Sequence, residues 1–160
     1  MPQSRSDSFR SDNDHVRIKY QFSAPIQNVW QAWTDPKIIK HWFGSDPDGI
    51  VLNALIDLRT GGSFGVKFRD SDGTEYTCNG NYIEIKPLSK LRFSWSWMSE
   101  PGHTSFVSIS FTSNQQGTQM NFEHSNLNAG SAHNYEEGWN RTFNKLEAIS
   151  ENQNSDKFTD

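Results

Sequence analysis

The chain of 160 residues is 33% hydrophobic, with 11 Phe, 6 Trp and 4 Tyr, and sets 15 Lys plus Arg against 19 Asp plus Glu for a net charge of −4. That length points to one domain, and without a Lys/Arg cluster the chain lacks the electrostatic footprint of a nucleic-acid binder. No apolar run approaches the roughly 20 residues needed to span a membrane, and one cysteine, Cys78, excludes an intrachain disulfide.

Residues 1–14 and 151–160 are polar and aperiodic and read as tails flanking a domain at 15–150. Residues 1–13 also lack the apolar stretch of a secretory signal, so the expected compartment is the cytoplasm. The domain opens on a strand at 16–22 with apolar residues at every second position. Ser23 reads as the cap of a following helix with Pro25 in its first turn and Val29, Trp30 and Trp33 on one face. Asp35-Pro36 starts a second short helix carrying Ile38, Ile39, Trp42 and Phe43, which Gly44 ends.

From Ile50 the period changes to two. A strand at 50–59 turns at Gly61-Gly62 into a second bearing Phe64, Val66 and Phe68. Residues 74–86 are long for one strand, and Gly80 marks a bulge or bend that curves the sheet. Leu91, Phe93, Trp95 and Trp97 share a face of the next strand; strands at 103–112 and around Met120, Phe122 and His124 follow. The last element is a helix from about residue 132 to 150, whose Tyr135, Trp139, Phe143, Leu146 and Ile149 form one stripe. The fold class is α+β: one strand, two short helices and six strands forming a curved antiparallel sheet wrapped around a long C-terminal helix.

One set of motifs resembles a known family, the single-domain relatives of the activator of the heat-shock chaperone ATPase, within the START-like (SRPBCC) helix-grip superfamily. The matching residues begin with Ala24-Pro25, Val29-Trp30, Trp33-Thr34-Asp35-Pro36 and His41-Trp42-Phe43-Gly44. They continue through residues 57–64, 80–85, Pro87 and Leu91-Arg92-Phe93, and end with Gly117-Thr118, His124, Gly138-Trp139 and Leu146. They run in order over about residues 15–150. The chain departs from the family pattern at Tyr135, where relatives often carry a histidine four residues before the helix tryptophan. The resemblance implies a helix-grip fold with a cavity between sheet and helix. It leaves the activity open, because function resides in the site and not the fold.

Alternation places Phe64, Val66, Tyr76, Cys78, Phe93, Trp95, Trp97, Met120, Phe122 and His124 on the concave sheet face, with Trp42, Phe43, Tyr135, Trp139 and Phe143 approaching from the helices. The direction of Tyr82, beyond Gly80, stays open. These residues either fill a core or line a ligand cavity. A dry void of about 300 Å³, at about 24 cal/mol per Å³, costs roughly 7 kcal/mol, comparable to the stability of a whole domain. A large cavity is therefore expected to be wet, occupied or partly collapsed. His124 is either a hydrogen-bonded core residue or a ligand partner and general base. Cys78, with no histidine beside it, reads as a small buried hydrophobe.

The histidines (His15, His41, His103, His124, His133) form no i, i+4 pair and there is no second cysteine, so no metal is expected. Gly61-Gly62 is a hairpin turn and not a phosphate loop, so no cofactor is expected either; Asp57 and Arg59 read as a surface ion pair. The leading expectation is a binder of a small hydrophobic, aromatic molecule, with no nucleic-acid or membrane partner. The alternatives are a cyclase- or hydrolase-like enzyme acting on a polyketide-like substrate through His124 with Tyr76 or Tyr82, and a chaperone-ATPase-activating module. The last is discounted because the eukaryotic activator has a second domain. Exposed edge strands leave room for a homodimer.

Overall fold

The computed structural model describes residues 6–11, 14–128 and 133–151. Its elements in chain order are β1 (Ser6–Ser11), β2 (His15–Phe22), α1 (Ile26–Thr34), α2 (Pro36–Ile39), β3 (Ile50–Ile56), β4 (Ser63–Arg69), β5 (Glu75–Lys86), β6 (Lys90–Trp97), β7 (Ser105–Asn114), β8 (Gly117–Ser125) and α3 (Tyr135–Ser150). All eight strands join one antiparallel sheet in the order β1-β2-β8-β7-β6-β5-β4-β3. Strands β3 to β8 form a meander, and α1–α2 carry the chain from the β2 end of the sheet to the β3 end. The expected α+β helix-grip arrangement is the one observed.

The N-terminal tail expectation needs correction. Residues 6–11 pair with β2 from Ser6↔Tyr20 to Ser11↔His15. An edge strand of this kind is held by backbone hydrogen bonds that occupy β2's outer groups, so a polar composition does not preclude it. The remaining tail expectations, at residues 1–5, 12–13 and 152–160, lie outside the described residues, as does the expected start of the last helix near 132.

Ser23 does not cap α1. The cap position is Pro25, without a side-chain bond, while Ser23 donates its backbone N–H and its hydroxyl to Glu147 of α3 at 3.2 and 2.6 Å. Asn28 reinforces this clasp by donating to the Ser150 carbonyl at 2.9 Å. The strand expected at 50–59 ends at Ile56, and Asp57 and Arg59 pair at 2.8 Å in the exposed turn beyond it.

The concave face is apolar along β2 (Val16, Ile18, Tyr20, Phe22), β7 (Val107, Ile109, Phe111) and β8 (Met120, Phe122), all buried. Against it lies the stripe of α3, with Phe143 and Leu146 fully buried. The β5–β6 register slips between Tyr82 and Glu84, beyond Gly80, so parity is kept from Tyr76 to Tyr82 and the Tyr82 ring is buried. Gly80 is required by crowding: a Cβ there would lie 1.9 Å from the Ser94 carbonyl oxygen.

Candidate functional site

At the β4–β6 end of the helix–sheet interface the packing opens into a cleft of about 130 Å³. Its position follows from local structure. The Asp35 side chain accepts from the Lys37 N–H and starts α2, and the chain then turns through Trp42 and Phe43 to Gly44, whose φ of +100° suits glycine. The Phe43 ring is thereby set against Phe68, Trp95 and Trp139, with centroids 5.7, 5.9 and 6.3 Å away. Across from it the Asn134 side chain accepts from the Glu137 N–H and begins α3, with Glu136 and Glu137 suiting its N-terminal dipole. That start aims Tyr135 and Trp139 into the same space.

Of the residues singled out in the sequence, Phe43, Tyr76, Trp95, Trp97, Tyr135 and Trp139 line this cleft. Phe64, Val66, Tyr82 and Phe93, together with Phe43 and Trp33, surround a second space of about 20 Å³, room for about one water. Phe43 borders both spaces and separates them.

Trp42, Cys78, Met120, Phe122, His124 and Phe143, also expected to line a ligand cavity, line neither space. All six are buried in the core; they face inward as expected, but their neighbours fill the volume. Trp42 Nε1–H donates to the Ala32 carbonyl at 2.9 Å. Burial pushes the Cys78 thiol well above its usual range, leaving an inert hydrophobe.

His124 is saturated. Trp139 Nε1–H donates to its Nδ1 at 3.0 Å, which assigns the ring proton to Nε2; that N–H meets Ser105 Oγ at 2.7 Å. The Ser105 hydroxyl in turn donates to the Trp95 carbonyl at 3.3 Å. Burial pushes the imidazole pKa down to about 3. The ring is neutral with both nitrogens occupied, so it has no free lone pair for a substrate proton. The network instead ties α3 to β8, β7 and β6 immediately behind the cleft.

Several cleft residues were not anticipated. Phe68 follows Phe64 and Val66 in one alternating run and was legible by the same rule. Ser45, Asp70 and His133 lie in connections, where no period reports position. His133 stacks on Trp97 with centroids 4.1 Å apart and rings inclined by 12°, and its Nε2 is 3.7 Å from a Glu100 carboxylate oxygen. Tyr135 accepts from Trp97 Nε1–H at 2.9 Å.

The rim is acidic. Burial, with the Asp46 and Asp72 carboxylates nearby, raises the pKa of Asp70. Asp46 accepts from the Ser71 N–H and hydroxyl, both at 2.7 Å, and from the Asp48 N–H, which hold its pKa at about 2. Lys145 donates to the Asp46 carbonyl at 2.9 Å. Among the described residues, no group of three or more His, Cys, Asp and Glu side chains is arranged to hold a metal, and no helix is long and apolar enough to cross a membrane.

Solved structures share this fold. Protein CV1439 from Chromobacterium violaceum superposes with a TM-score of 0.78 at 21% identity, over 88% of this chain and 99% of that one. The AHSA1-like protein from Aeromonas hydrophila gives 0.68 at 22%, over 84% and 90%. DynU16, from the dynemicin biosynthetic locus, gives 0.67 at 23%, over 86% of this chain and 47% of that one. No curated protein matches the chain in sequence. Residues 23–151 match the family described as "Activator of Hsp90 ATPase homolog 1-like protein"; with most of its length matched, the chain belongs to that family.

Proposed function

We propose that the protein binds a small, flat, apolar molecule in the cleft between β4–β6 and the N-terminal half of α3. The observation that carries this reading is the cleft itself: about 130 Å³ walled by the rings of Phe43, Phe68, Trp95, Trp97, Tyr135 and Trp139. A space of this size accepts about one six-membered ring, since an engineered apolar cavity of about 150 Å³ holds benzene. Stacked and edge-on rings with centroids about 4.5–7 Å apart favour an aromatic occupant over an aliphatic one.

A catalytic role has weaker support. His124 has no free nitrogen, and burial raises the Tyr82 phenol further from ionisation. The family's description supports a chaperone partner only by name.

The test is fluorescence titration with N-phenyl-1-naphthylamine, a neutral probe that brightens in apolar surroundings and whose phenyl ring is of the size the cleft accepts. A saturable rise at one site per chain, together with a copurifying small molecule in native mass spectrometry, is the expected result. No rise and no bound mass would sink the reading. A rise in chaperone ATPase rate on adding the protein would instead favour the interaction module.

A further inference from the structure

Two indole N–H groups bordering these spaces have no hydrogen-bond partner: Trp95 Nε1 and Trp33 Nε1, in residues 3% and 4% exposed. Their neighbours are different. Trp97, Trp139 and Trp42 all donate, to Tyr135, His124 and Ala32 respectively. A buried donor without an acceptor is uncommon in native proteins and calls for an explanation such as a missing partner. Here each orphan belongs to a residue lining one of the two spaces that Phe43 divides, Trp95 on the cleft and Trp33 on the smaller chamber.

Trp95 is enclosed by rings. Phe43 lies on its face at 5.9 Å and 20°, while Trp97, Trp139 and His124 meet it edge-on at 5.2, 5.4 and 5.4 Å. No side-chain acceptor reaches its N–H among the described residues. The nitrogen is closed to solvent in this structure, so an acceptor reaches it when a ligand entering the cleft moves the rings around it. Anions are disfavoured, because Asp70 lines the cleft with the Asp46 and Asp72 carboxylates near it, and Lys145, the cation beside them, is half-buried and directed at the Asp46 carbonyl.

Resting on the cleft reading above, we propose that the ligand is a neutral aromatic molecule bearing a hydrogen-bond acceptor, a ring nitrogen or a carbonyl oxygen, and that the Trp95 indole N–H is the donor that selects it. A single ring fits the cleft as it stands. A larger ligand displaces Phe43, which the turn at Gly44 carries, joins the two spaces and brings the Trp33 N–H within the same site. Discrimination comes from the unpaired donor: an apolar analogue leaves it unsatisfied, and sites of this kind reject ligands that lack the matching group.

The test compares quinoline with naphthalene, which differ by one ring nitrogen, on the full chain labelled with nitrogen-15. Quinoline is expected to bind about tenfold more tightly, the worth of one hydrogen bond to a buried donor, and to move the Trp95 indole proton resonance downfield. Naphthalene binds without that shift. Trp95→Phe should abolish the preference, so that quinoline and naphthalene bind equally whatever the wider cleft does to both affinities. If that variant does not fold, the wild-type indole spectrum decides by itself. Equal binding of both probes with no downfield shift overturns the acceptor inference and leaves the cleft reading standing. Failure of both probes, and of the single rings pyridine and benzene, to bind overturns the two together.

Discussion

The two halves of α3 face the same sheet with different results. Toward its C-terminus, Phe143 and Leu146 are fully buried against β2 and β8. Phe143 meets Phe122 at 5.0 Å and Tyr20 at 6.0 Å, and the polar groups are matched: Tyr20 O–H donates to Asn144 and Ser23 to Glu147. Toward the N-terminus, Tyr135 and Trp139 face β4–β6 across a cleft, and one indole donor there is left without an acceptor. Both halves are walled by large rings, so aromatic content does not separate them; the open space beside Tyr135 and Trp139 does. A half that satisfies its own groups serves stability, whereas one that leaves space and a donor unmatched accepts a lower stability for binding.

The sharpest way to break this contrast is a pair of truncations. Phe143→Ala removes a fully enclosed ring and should cost about 3–5 kcal/mol in denaturant unfolding. Phe43→Ala removes a ring bordered by two existing spaces, one of them open to solvent, so water enters what the ring leaves. Its cost should be smaller by about 1 kcal/mol or more, and the joined spaces should bind the naphthylamine probe more tightly. Equal destabilisation with no gain in probe binding would abolish the distinction between the halves.

The boundary between the halves carries a pH signature. The His124 imidazole is held neutral in the fold, its pKa pushed from the model-peptide value of 6.5 to about 3. The unfolded chain takes up a proton as pH falls through 6.5 and the native protein does not, so this group contributes stability above pH 6.5 that is lost as pH falls toward 3. The native and unfolded chains differ there by up to one bound proton, so stability falls steadily as pH drops through that window. Unfolding curves at pH 7 and pH 5 should separate the wild type from His124→Gln, with a shallower pH dependence in the variant. Parallel curves would mean that His124 is not buried in the neutral form described.

How legible this was differs between face and space. Alternation assigned Phe93, Trp95, Phe122 and His124 to one side of the sheet, and all are buried there; the helical stripe named Tyr135, Trp139 and Phe143 correctly. A period reports which way a side chain points but not whether its neighbours fill the volume it points into. The cleft therefore could not be told from the core, and Phe122 and Trp95 read alike. The bulge expected from Gly80 lies beyond Tyr82, because Gly80 is needed for the close approach of the Ser94 carbonyl and not for a register change. Ser45, Asp70 and His133 reach the site from connections whose course is set by tertiary contacts. Edge strand β1 left no pattern because backbone pairing asks little of side chains.

The smallest expected effect is the most specific to the cleft. The Tyr135 hydroxyl oxygen accepts from Trp97 Nε1–H at 2.9 Å, so Tyr135→Phe keeps the ring and removes the hydroxyl. In the packed half such a change would strand a fully buried donor; here Trp97 is half-buried, and water can replace the lost partner. The cost should fall at the low end of the usual range, about 0.5–1 kcal/mol. A newly unpaired Trp97 N–H would also give the cleft a second donor, so quinoline affinity should hold or rise while naphthalene affinity stays constant. A loss of several kcal/mol would show that the Tyr135–Trp97 bond is part of the closed core, and that the unmatched half of α3 begins beyond it.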